Sequence, residues 1–507
     1  MKIIFLLFSS FFLLSACDNY SDSKLIKDYS SLSAPKLITA ENHPGGETTV
    51  SIKPFASFQL PAANLDNDLR PTFHAGKALA NQPWVKAPTI TTARDGLGPI
   101  YNARTCLSCH IKGGKGFIPA DNKTPLTSTL VRLSLLPSFS TLTKEEQATA
   151  IKKSGNIDHP VYGDQIQSQS ISLAHQLRHS QKTGTLKHDV APEAYIHINW
   201  IEKKFIYPDQ HKVTLRAPEL DFQYLGYGPL NEGTVFSLRV APMIQGMGLI
   251  SLIPEQDILA LSDEHDEHDE KQNGISGRPN QVWDVEKQTT VMGRFGLKAN
   301  KPTLNMIVAG AFANDLGISN PLAPNQPCTT LQPSCSNITN GNNENGFELP
   351  ADLLQLVVNF NRDLAPVERR NSHDKNVLVG RELFYQTGCH QCHNPRFTTQ
   401  KSSESTHLSE QVIWPYSDFL LHDMGPDLAD GRADFLATGN EWRTPPLWGV
   451  GLLSQVNGMT TLLHDGRARS VEEAILWHGG EAGLAKNSFI QLEKQDRERL
   501  IAFVNSL

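Results

Sequence analysis

The chain has 507 residues and a formal net charge of −7, from 46 basic and 53 acidic side chains. That length exceeds what a single hydrophobic core usually supports and predicts two or three domains. The modest negative charge argues against a role in nucleic-acid binding and is compatible with a small basic protein partner.

The N-terminus has the pattern of an export signal. A lysine follows the first methionine, and an apolar run from Ile3 to Leu14 is too short to span a bilayer. The small residues before Cys17 resemble a bacterial lipoprotein signal, which implies cleavage before Cys17 and lipid on its thiol. An ordinary secretory signal with an incidental cysteine is the alternative.

These features predict a signal peptide over residues 1–16 and a tether, rich in Ser, Asn and Pro, over residues 17–60. No later apolar run is long enough to cross a membrane. We therefore expect a lipoprotein that a lipid anchor holds to a membrane, in the periplasm of a Gram-negative bacterium.

Residues 61–200 are predicted to form a first domain around a C-x-x-C-H motif. Apolar residues at helical spacing from Phe73 to Trp84 predict a short helix ahead of it. In the motif, Cys106 and Cys109 can attach a c-type haem covalently, and His110 can bind its iron. A redox C-x-x-C or half of a zinc site is the alternative, but the trailing histidine and the lack of a nearby second C-x-x-C favour haem.

The middle region, residues 201–350, has alternating runs that predict strands, such as 212–216 and 234–240. Two cysteines remain here after lipid and haem attachment are counted. Cys328 and Cys335 lie in a loop rich in Pro and Asn, and an exported compartment favours a local disulfide between them.

A second C-x-x-C-H motif, formed by Cys389, Cys392 and His393, lies in a third region, residues 351–507. A helical pattern runs into the motif over 376–384, and another ends the chain over 489–507. This is the plan of a small class I cytochrome c, in which the first and last helices pack across each other. The predicted fold is therefore mainly α, with two class I cytochrome c-like haem domains and a β-containing insertion between them.

The chain also resembles a known family, the di-haem oxidoreductases, sometimes labelled thiol oxidoreductase-like, which are related to bacterial di-haem cytochrome c peroxidases. The resemblance covers most of residues 70–507. It rests on blocks in both halves: DGLGPIYNARTCLSCH (95–110), LRVAP (238–242), GISGRPN (274–280), WRTPPLWGVG (442–451), LHDGRA (463–468) and EEAILWHGG (472–480). It implies two haem c groups per chain.

For the first haem, the resemblance implies that peroxide reacts opposite His110, with catalytic help from Gln165, Gln167 and Glu193. A carboxylate can move a proton between the two peroxide oxygens. Glu193 as a solvated surface charge is the alternative. The residue opposite His110 stays open among five histidines: His159, His175, His179, His188 and His197.

For the second haem, the resemblance implies ligation by both His393 and His478, because His478 occupies the position of a methionine ligand in the peroxidases. Met424, Met459 or no second ligand are the alternatives. Arg443 and His464 are expected to organise propionates and the loop around them.

The middle blocks imply further roles. Arg239, Arg278 or Arg294 is expected to bind propionates; the alternative for each is that it caps loop carbonyls. The acidic stretch 263–270 replaces a calcium-like loop of relatives, so calcium is possible, although a solvated acidic loop fits the spacing better.

Together these features predict a periplasmic, lipid-anchored di-haem oxidoreductase of peroxidase type. It would reduce hydrogen peroxide with electrons from a small redox protein. The alternatives are a non-enzymatic electron-transfer lipoprotein, or an accessory in periplasmic iron or thiol handling.

Overall fold

A computed structural model gives the structure of the chain. It describes residues 32–507 apart from 52–56, 91–93, 122–123, 125, 173–189, 265–273, 339–340 and 343–344. The predicted signal peptide, the lipidation site Cys17, three histidines (His175, His179 and His188) and most of the acidic stretch lie outside the described residues. Within the described part, no helix combines the length and the apolar character needed to cross a bilayer.

The helices are distributed along the whole described chain. Their bounds are α1 Arg70–Asn81, α2 Cys106–Cys109, α3 Lys144–Ser154, α4 Met247–Ser251, α5 Glu255–Leu259, α6 Leu304–Leu316, α7 Pro333–Ser336, α8 Ala351–Arg362, α9 Lys375–Gln386, α10 Leu453–Asn457, α11 Val471–Trp477, α12 Gly483–Gln491 and α13 Lys494–Ser506.

The strands of the described residues form antiparallel pairs. Their bounds are β1 Ile100–Tyr101, β2 Thr129–Leu135, β3 Gln169–Ser170, β4 Ala194–Ile206, β5 Lys212–Leu225, β6 Thr234–Val240, β7 Gln281–Asp284, β8 Thr289–Met292, β9 Phe397–Thr398, β10 Val412–Ile413, β11 Leu421–Asp423 and β12 Glu441–Arg443. The pairs are β1 with β3, β2 with β6, β4 with β5, β7 with β8, β9 with β10 and β11 with β12.

The prediction of a mainly α fold is wrong. The chain is 32% helical and 19% strand, with many small sheets, and is mixed α/β. The strands are not confined to an insertion, because β2 lies in the first haem region and β11 and β12 lie in the second. Alternating β-branched and polar residues favour strands wherever one face is buried, and such runs occur throughout this chain.

Two helix pairs frame the two motifs. The predicted packing of the helix before the second motif on the last helix is confirmed, because α9 packs on α13. A Cβ atom at Gly380 in α9 would lie 1.9 Å from the carbonyl oxygen of Arg499, so the helices touch through their backbones. In the first half α1 packs on α8 in the same way, with Gly76 against Leu356. The partner of α1 therefore comes from residues that follow the whole middle region.

The β4–β5 hairpin links the two halves. Its strands are 13 and 14 residues long. Near its tip, the Tyr207 hydroxyl donates a hydrogen bond to Glu472 Oε1 (2.9 Å), and Arg469 Nη2 donates to the carbonyl oxygen of Thr214 (2.7 Å). The hairpin thus reaches from the first haem region to α11, the helix that directly precedes His478.

Part of the segment predicted to be a tether is packed on the second haem region. Glu41 is buried and accepts hydrogen bonds from Arg381 Nη2 (2.9 Å) and from the Tyr416 hydroxyl (2.6 Å). A buried carboxylate requires such partners. Residues around Glu41 therefore belong to the folded body. Cys328 and Cys335 form a disulfide, with their Cα atoms 5.7 Å apart.

Candidate functional site

A cavity of about 450 Å³ has both C-x-x-C-H motifs in its walls. The helix α6 lines it along its length, with Gly310, Leu316 and six residues at regular spacing: Leu304, Ile307, Val308, Ala311, Asn314 and Asp315. This spacing is that of a single helical face. The lining is predominantly apolar, as a cavity for a large flat apolar group requires.

At the first motif, Cys106 and Cys109 stand on the short helix α2 with free thiols. The Thr105 hydroxyl caps this helix by accepting a hydrogen bond from the backbone N–H of Ser108 (2.8 Å). His110 Nδ1 donates to the carbonyl oxygen of Pro242 (2.7 Å), and burial lowers the pKa of its ring. The imidazole is therefore neutral, and its Nε2 lone pair is available to a metal.

The second motif repeats this arrangement. His393 Nδ1 donates to the carbonyl oxygen of Tyr416 (2.8 Å), and burial lowers the pKa of His393 to about 4. Cys389 and Cys392 are also free thiols, and burial raises the pKa of Cys389 to about 11. Each motif thus combines two thiols with one neutral histidine of the cavity wall. Among the described residues, the Nε2 of that histidine is not used in a hydrogen bond.

A third histidine has the same character. His478 follows α11, lines the cavity, and donates from Nδ1 to the carbonyl oxygen of Ala474 (2.7 Å). Burial lowers its pKa, and its proximity is one of the causes, after burial, that lower the pKa of His393. Met424 also lines the cavity, whereas Met459 is 38% exposed and does not.

The two other histidines in the described wall of the cavity have different partners. His422 lies between two carboxylates, Asp418 and Glu481. His464 stacks on Trp442, with ring centroids 3.6 Å apart and an interplanar angle of 8°. Three wall histidines therefore have the free Nε2 of a metal ligand, namely His110, His393 and His478.

The stacked pair of Trp442 and His464 lies between the two ends of the cavity. Trp442 pairs across β11 and β12 with His422, whose Nδ1 is 3.7 Å from Cys392 Sγ at the second motif. The guanidinium of Arg239, from β6 in the middle region, lies 5.8 Å from the Trp442 ring. Aromatic side chains thus occupy the wall between the two motifs.

Near the first motif, the acidic residue of the cavity wall is Asp315. Among the described residues that line the cavity, the only acids are Asp315 and Glu481, and Glu481 lies at the other end. Burial raises the pKa of Asp315 to about 6, and its Oδ1 accepts a hydrogen bond from Gln165 Nε2 (2.9 Å). The Asp315 carboxylate is close enough to Cys106 to contribute to the raised pKa of that thiol.

The three residues predicted to be catalytic lie behind this wall. Glu193 is fully buried and outside the cavity lining, where its oxygens accept hydrogen bonds from the backbone N–H of Gln167 and from Gln332 Nε2, both at 2.6 Å. Gln167 also lies behind the wall, and its side chain donates to the carbonyl oxygen of Asn314 (2.8 Å). The structure thus gives Glu193 and Gln167 buried supporting positions, and only Gln165 contacts an acid of the cavity.

Asp315 was missed because the resemblance drew attention to the sequence around Gln165. The available signal was composition. Asp315 is the one ionisable residue of α6, which is otherwise apolar apart from Asn305 and Asn314. A lone acid in a helix that buries most of its faces must have a specific partner or role.

Of the five histidines proposed to lie opposite His110, the structure describes His159 and His197, and neither lines the cavity. His159 is buried elsewhere, where the backbone N–H groups of Val161 and Tyr162 point at its Nδ1 (3.1 Å each). His197 lies in β4 and is also outside the lining.

The predicted propionate arginines divide into two groups. Arg239 and Arg294 line the cavity, whereas Arg278 does not. Arg278 pairs with Glu441 through Nε (2.6 Å) and Nη2 (2.7 Å). Arg294 Nη1 donates to the carbonyl oxygens of Ile250 and Ile253, which is the loop-capping alternative.

Arg239 has the character of an anion-binding residue. Its Nη1 donates to Asp434 Oδ2 (3.1 Å), while its buried Nη2 lies 3.8 Å from Asp430 Oδ2 and makes no hydrogen bond among the described residues. A buried guanidinium nitrogen without a hydrogen bond is costly, and a carboxylate in the cavity could supply one. Arg443 also lines the cavity, but its side chain donates to the carbonyl oxygens of Gly296 and Thr444.

These observations fit haem at both motifs. Each site offers two thiols and one neutral histidine, the cavity is mostly apolar, and Arg239 presents an unsatisfied donor to an acidic substituent. This donor set matches haem ligation and attachment better than a zinc site, which would need four clustered ligands.

Comparisons with known proteins agree with this interpretation. The family model described as "Di-haem oxidoreductase, putative peroxidase" matches residues 38–507. No curated protein matches the chain significantly. One solved structure, Kuenenia stuttgartiensis hydrazine synthase pressurised with 20 bar of xenon, has 12% identity, covers 84% of this chain and 100% of its own, and gives a TM-score of 0.27. That score is too low to support an inference. The family match covers most of the chain, which therefore belongs to the di-haem oxidoreductase family.

Proposed function

We propose that this oxidoreductase is a peroxidase that reduces hydrogen peroxide at the first haem site, with electrons that enter from a small redox protein at the second. The observation that supports the proposal is that the two sites differ in their candidate iron ligands and acidic residues. His393 and His478 both offer a free Nε2 at the second motif, whereas the first motif has His110 and a buried carboxyl group, Asp315.

The cysteines and histidines of the two motifs would hold two haem c groups. Cys106 and Cys109 would form thioethers at the first site, and Cys389 and Cys392 at the second. His110 would be the iron ligand of the first haem, and His393 and His478 the two ligands of the second. The haem irons would supply electron transfer at both sites and a binding position for peroxide at the first.

Asp315 would move the proton at the first site. Reduction of one hydrogen peroxide to two waters consumes two electrons and two protons. The Asp315 carboxylate can accept the proton of one peroxide oxygen and return it to the other, the oxygen that leaves as water. Gln165 Nε2, hydrogen-bonded to Asp315 Oδ1, would orient the carboxyl group, while the apolar face of α6 would limit the access of bulk water.

The second site is suited to electron entry. His393 and His478 would both ligate the iron of this haem, which would supply electron transfer and not peroxide binding. Bis-histidine ligation also gives a lower potential than the histidine and methionine pair of related peroxidases. With a net charge of −7, the protein is compatible with a basic electron donor. We further propose that the N-terminal signal exports the chain to the periplasm and that lipid on Cys17 anchors it there.

The test is peroxide turnover by the purified holo-protein with a reduced small cytochrome c as donor. We expect turnover in the wild type and a ferric spectrum with one high-spin and one low-spin haem. A protein with two low-spin haems that leaves peroxide unchanged would contradict the proposal and favour an electron carrier.

A pair of variants tests the ligands of the second haem. His478→Gly should abolish the bis-imidazole signature of that haem in near-infrared and electron paramagnetic resonance spectra. Met424→Leu, which alters a neighbouring side chain of the same cavity wall, should leave the signature intact. A wild type with the signature of histidine and methionine ligation, lost in Met424→Leu and kept in His478→Gly, would instead make Met424 the ligand.

A further inference from the structure

His422 is held between two carboxylates beside the second motif. Its Nε2 lies 2.8 Å from Asp418 Oδ2, and its Nδ1 lies 2.6 Å from Glu481 Oε2. A carboxylate oxygen only accepts, so both ring nitrogens carry protons and His422 is an imidazolium ion. All three side chains are largely buried, with exposed fractions of 3% for His422, 2% for Asp418 and 12% for Glu481.

Asp418 belongs to the loop that directs His393. The backbone N–H of Asp418 donates to the carbonyl oxygen of Cys392 (2.9 Å). Two residues earlier, the carbonyl oxygen of Tyr416 accepts the hydrogen bond from His393 Nδ1 (2.8 Å). The position of Asp418 is therefore tied directly to the orientation of His393.

Glu481 belongs to the loop that carries His478. It lies three residues after His478, in the turn that follows α11. Its carboxylate also accepts hydrogen bonds from the Ser276 hydroxyl (2.8 Å), the Ser276 backbone N–H (3.0 Å) and the Asp423 backbone N–H (3.0 Å). Glu481 is thus fixed by several donors, and His422 connects this fixed point to Asp418.

A metal site is the other chemistry that these residues suggest. Cys392, Asp418 and His422 present ligand atoms that lie within 4.8 Å of one another. Both nitrogens of His422 are already directed at carboxylates, however, and the proposed function assigns Cys392 to haem attachment. The arrangement is therefore that of a salt-bridged connection between two loops.

We propose that His422 is a positioning residue, and that its paired contacts with Asp418 and Glu481 hold the loops of His393 and His478 in register at the second haem. This inference rests on the proposed assignment of both histidines to that haem. Partners outside the immediate ligands orient metal-binding histidines, and their loss typically weakens metal binding about 10- to 100-fold. A buried charged triad is suited to this role because each member is unstable without its partner.

The test uses the ferric full-length holo-protein without peroxide. His422→Asn and Glu481→Gln should each reduce the bis-imidazole signal of the second haem and shift its midpoint potential. Cyanide competes with His478 for the iron, so its apparent affinity for the second haem should rise about 10-fold or more. The spectrum of the first haem should not change. In the double variant, the effect should be no larger than that of the stronger single variant, because both break the same connection.

His407→Asn is the matched control. His407 is also buried and paired with a carboxylate, with its Nε2 3.0 Å from Asp363 Oδ1, but it is not part of the cavity wall. If His407→Asn changed the second haem as His422→Asn does, the effect would be general destabilisation, and the proposal would be overturned. Wild-type cyanide affinity and potential in both Glu481→Gln and His422→Asn would also overturn it.

The two proposals fail in different ways. The spectra and potentials need no turnover, so a protein that ignores peroxide could still show the expected effect of His422→Asn. A wild type without a bis-imidazole signal would overturn the role of His478, and that of His422 with it, whatever the peroxide activity.

Discussion

Gln165 Nε2 donates a hydrogen bond to Asp315 Oδ1 over 2.9 Å, directly behind the cavity wall of the first motif. This contact connects Gln165, which the sequence predicts to be catalytic, to Asp315, which no sequence pattern identifies. In the proposed mechanism this contact would let Gln165 orient the carboxyl group without touching peroxide. Asp315 is our candidate for the catalytic carboxyl group, because Glu193 lies outside the lining.

Replacing Asp315 should therefore impair catalysis more than replacing Glu193. Asp315→Asn keeps the size of the side chain but cannot exchange a proton, and we expect kcat/KM for peroxide to fall about 100-fold or more. Glu193→Gln should leave kcat/KM within a few-fold of the wild type in the folded protein. Steady-state assays of both variants, corrected for haem content, check the prediction. Equal losses in the two variants would argue against a direct role for Asp315.

The pH dependence of turnover should follow the same carboxyl group. Burial raises the pKa of Asp315 to about 6, so the carboxylate that accepts the peroxide proton is depleted below that pH and populated above it. We expect kcat/KM to rise through about pH 6 and then level off. Asp315→Asn should lose this limb of the profile. A wild-type profile that is flat from pH 5 to pH 7 would contradict the assignment.

Arg239 should matter for both haem binding and stability. Arg239→Gln leaves Asp434 and Asp430 each with one fewer buried cation and removes from the cavity an Nη2 donor that makes no hydrogen bond among the described residues. We expect a loss of about 3–5 kcal/mol in the free energy of unfolding, as for a broken buried ion pair, and lower haem content at the first site.

Arg278→Gln is the control for Arg239. It also breaks an ion pair, with Glu441, but Arg278 is outside the cavity lining. Denaturant unfolding and the spectrum of the first haem distinguish the two variants. Only Arg239→Gln should change that spectrum, and a similar change in Arg278→Gln would contradict a specific role for Arg239.

The contact between α9 and α13 can be tested with a methyl group. In Gly380→Ala, the added Cβ atom would lie 1.9 Å from the carbonyl oxygen of Arg499, so the helices must separate. We expect a destabilisation of about 1–3 kcal/mol or more. Gly483→Ala adds the same atom in α12, where nothing lies within 4 Å of it, and should be neutral or stabilise by about 1 kcal/mol or less. Urea unfolding of both variants measures the difference. Equal stabilities would show that the backbone contact is not needed.

The sequence predicts local chemistry here better than it predicts architecture. The spacing of the cysteines is enough to identify the two haem motifs. In the structure, His110 and His393 donate hydrogen bonds to backbone carbonyls, as metal-binding histidines typically do. The packing of α9 on α13 also follows from apolar periodicity. The pairing of α1 with α8 does not, because residues 70–81 and 351–362 are brought together only by the fold of the long middle region.

Asp315 and Glu41 show a second limit of the sequence. The sequence alone does not distinguish a buried acidic residue from an exposed one, because its partners are distant in the chain. Glu41 lies in a polar segment that composition assigns to a tether, yet Arg381 and Tyr416 hold it inside the protein. Asp315 is the penultimate residue of α6, two positions before Gly317, which adopts φ +69° as many helix-ending glycines do. Contacts between distant parts of the chain bury both carboxyl groups, and the local sequence pattern does not predict such contacts.

The central claim is that the first haem is open to peroxide and the second is closed by His393 and His478. Rapid-mixing absorption spectroscopy of the holo-protein with hydrogen peroxide tests this most directly. We predict a fast change in the high-spin bands of the first haem, which His478→Gly does not abolish and Asp315→Asn slows about 100-fold or more. A fast change at the second haem, or no response of either haem to peroxide, would contradict this assignment of the two sites.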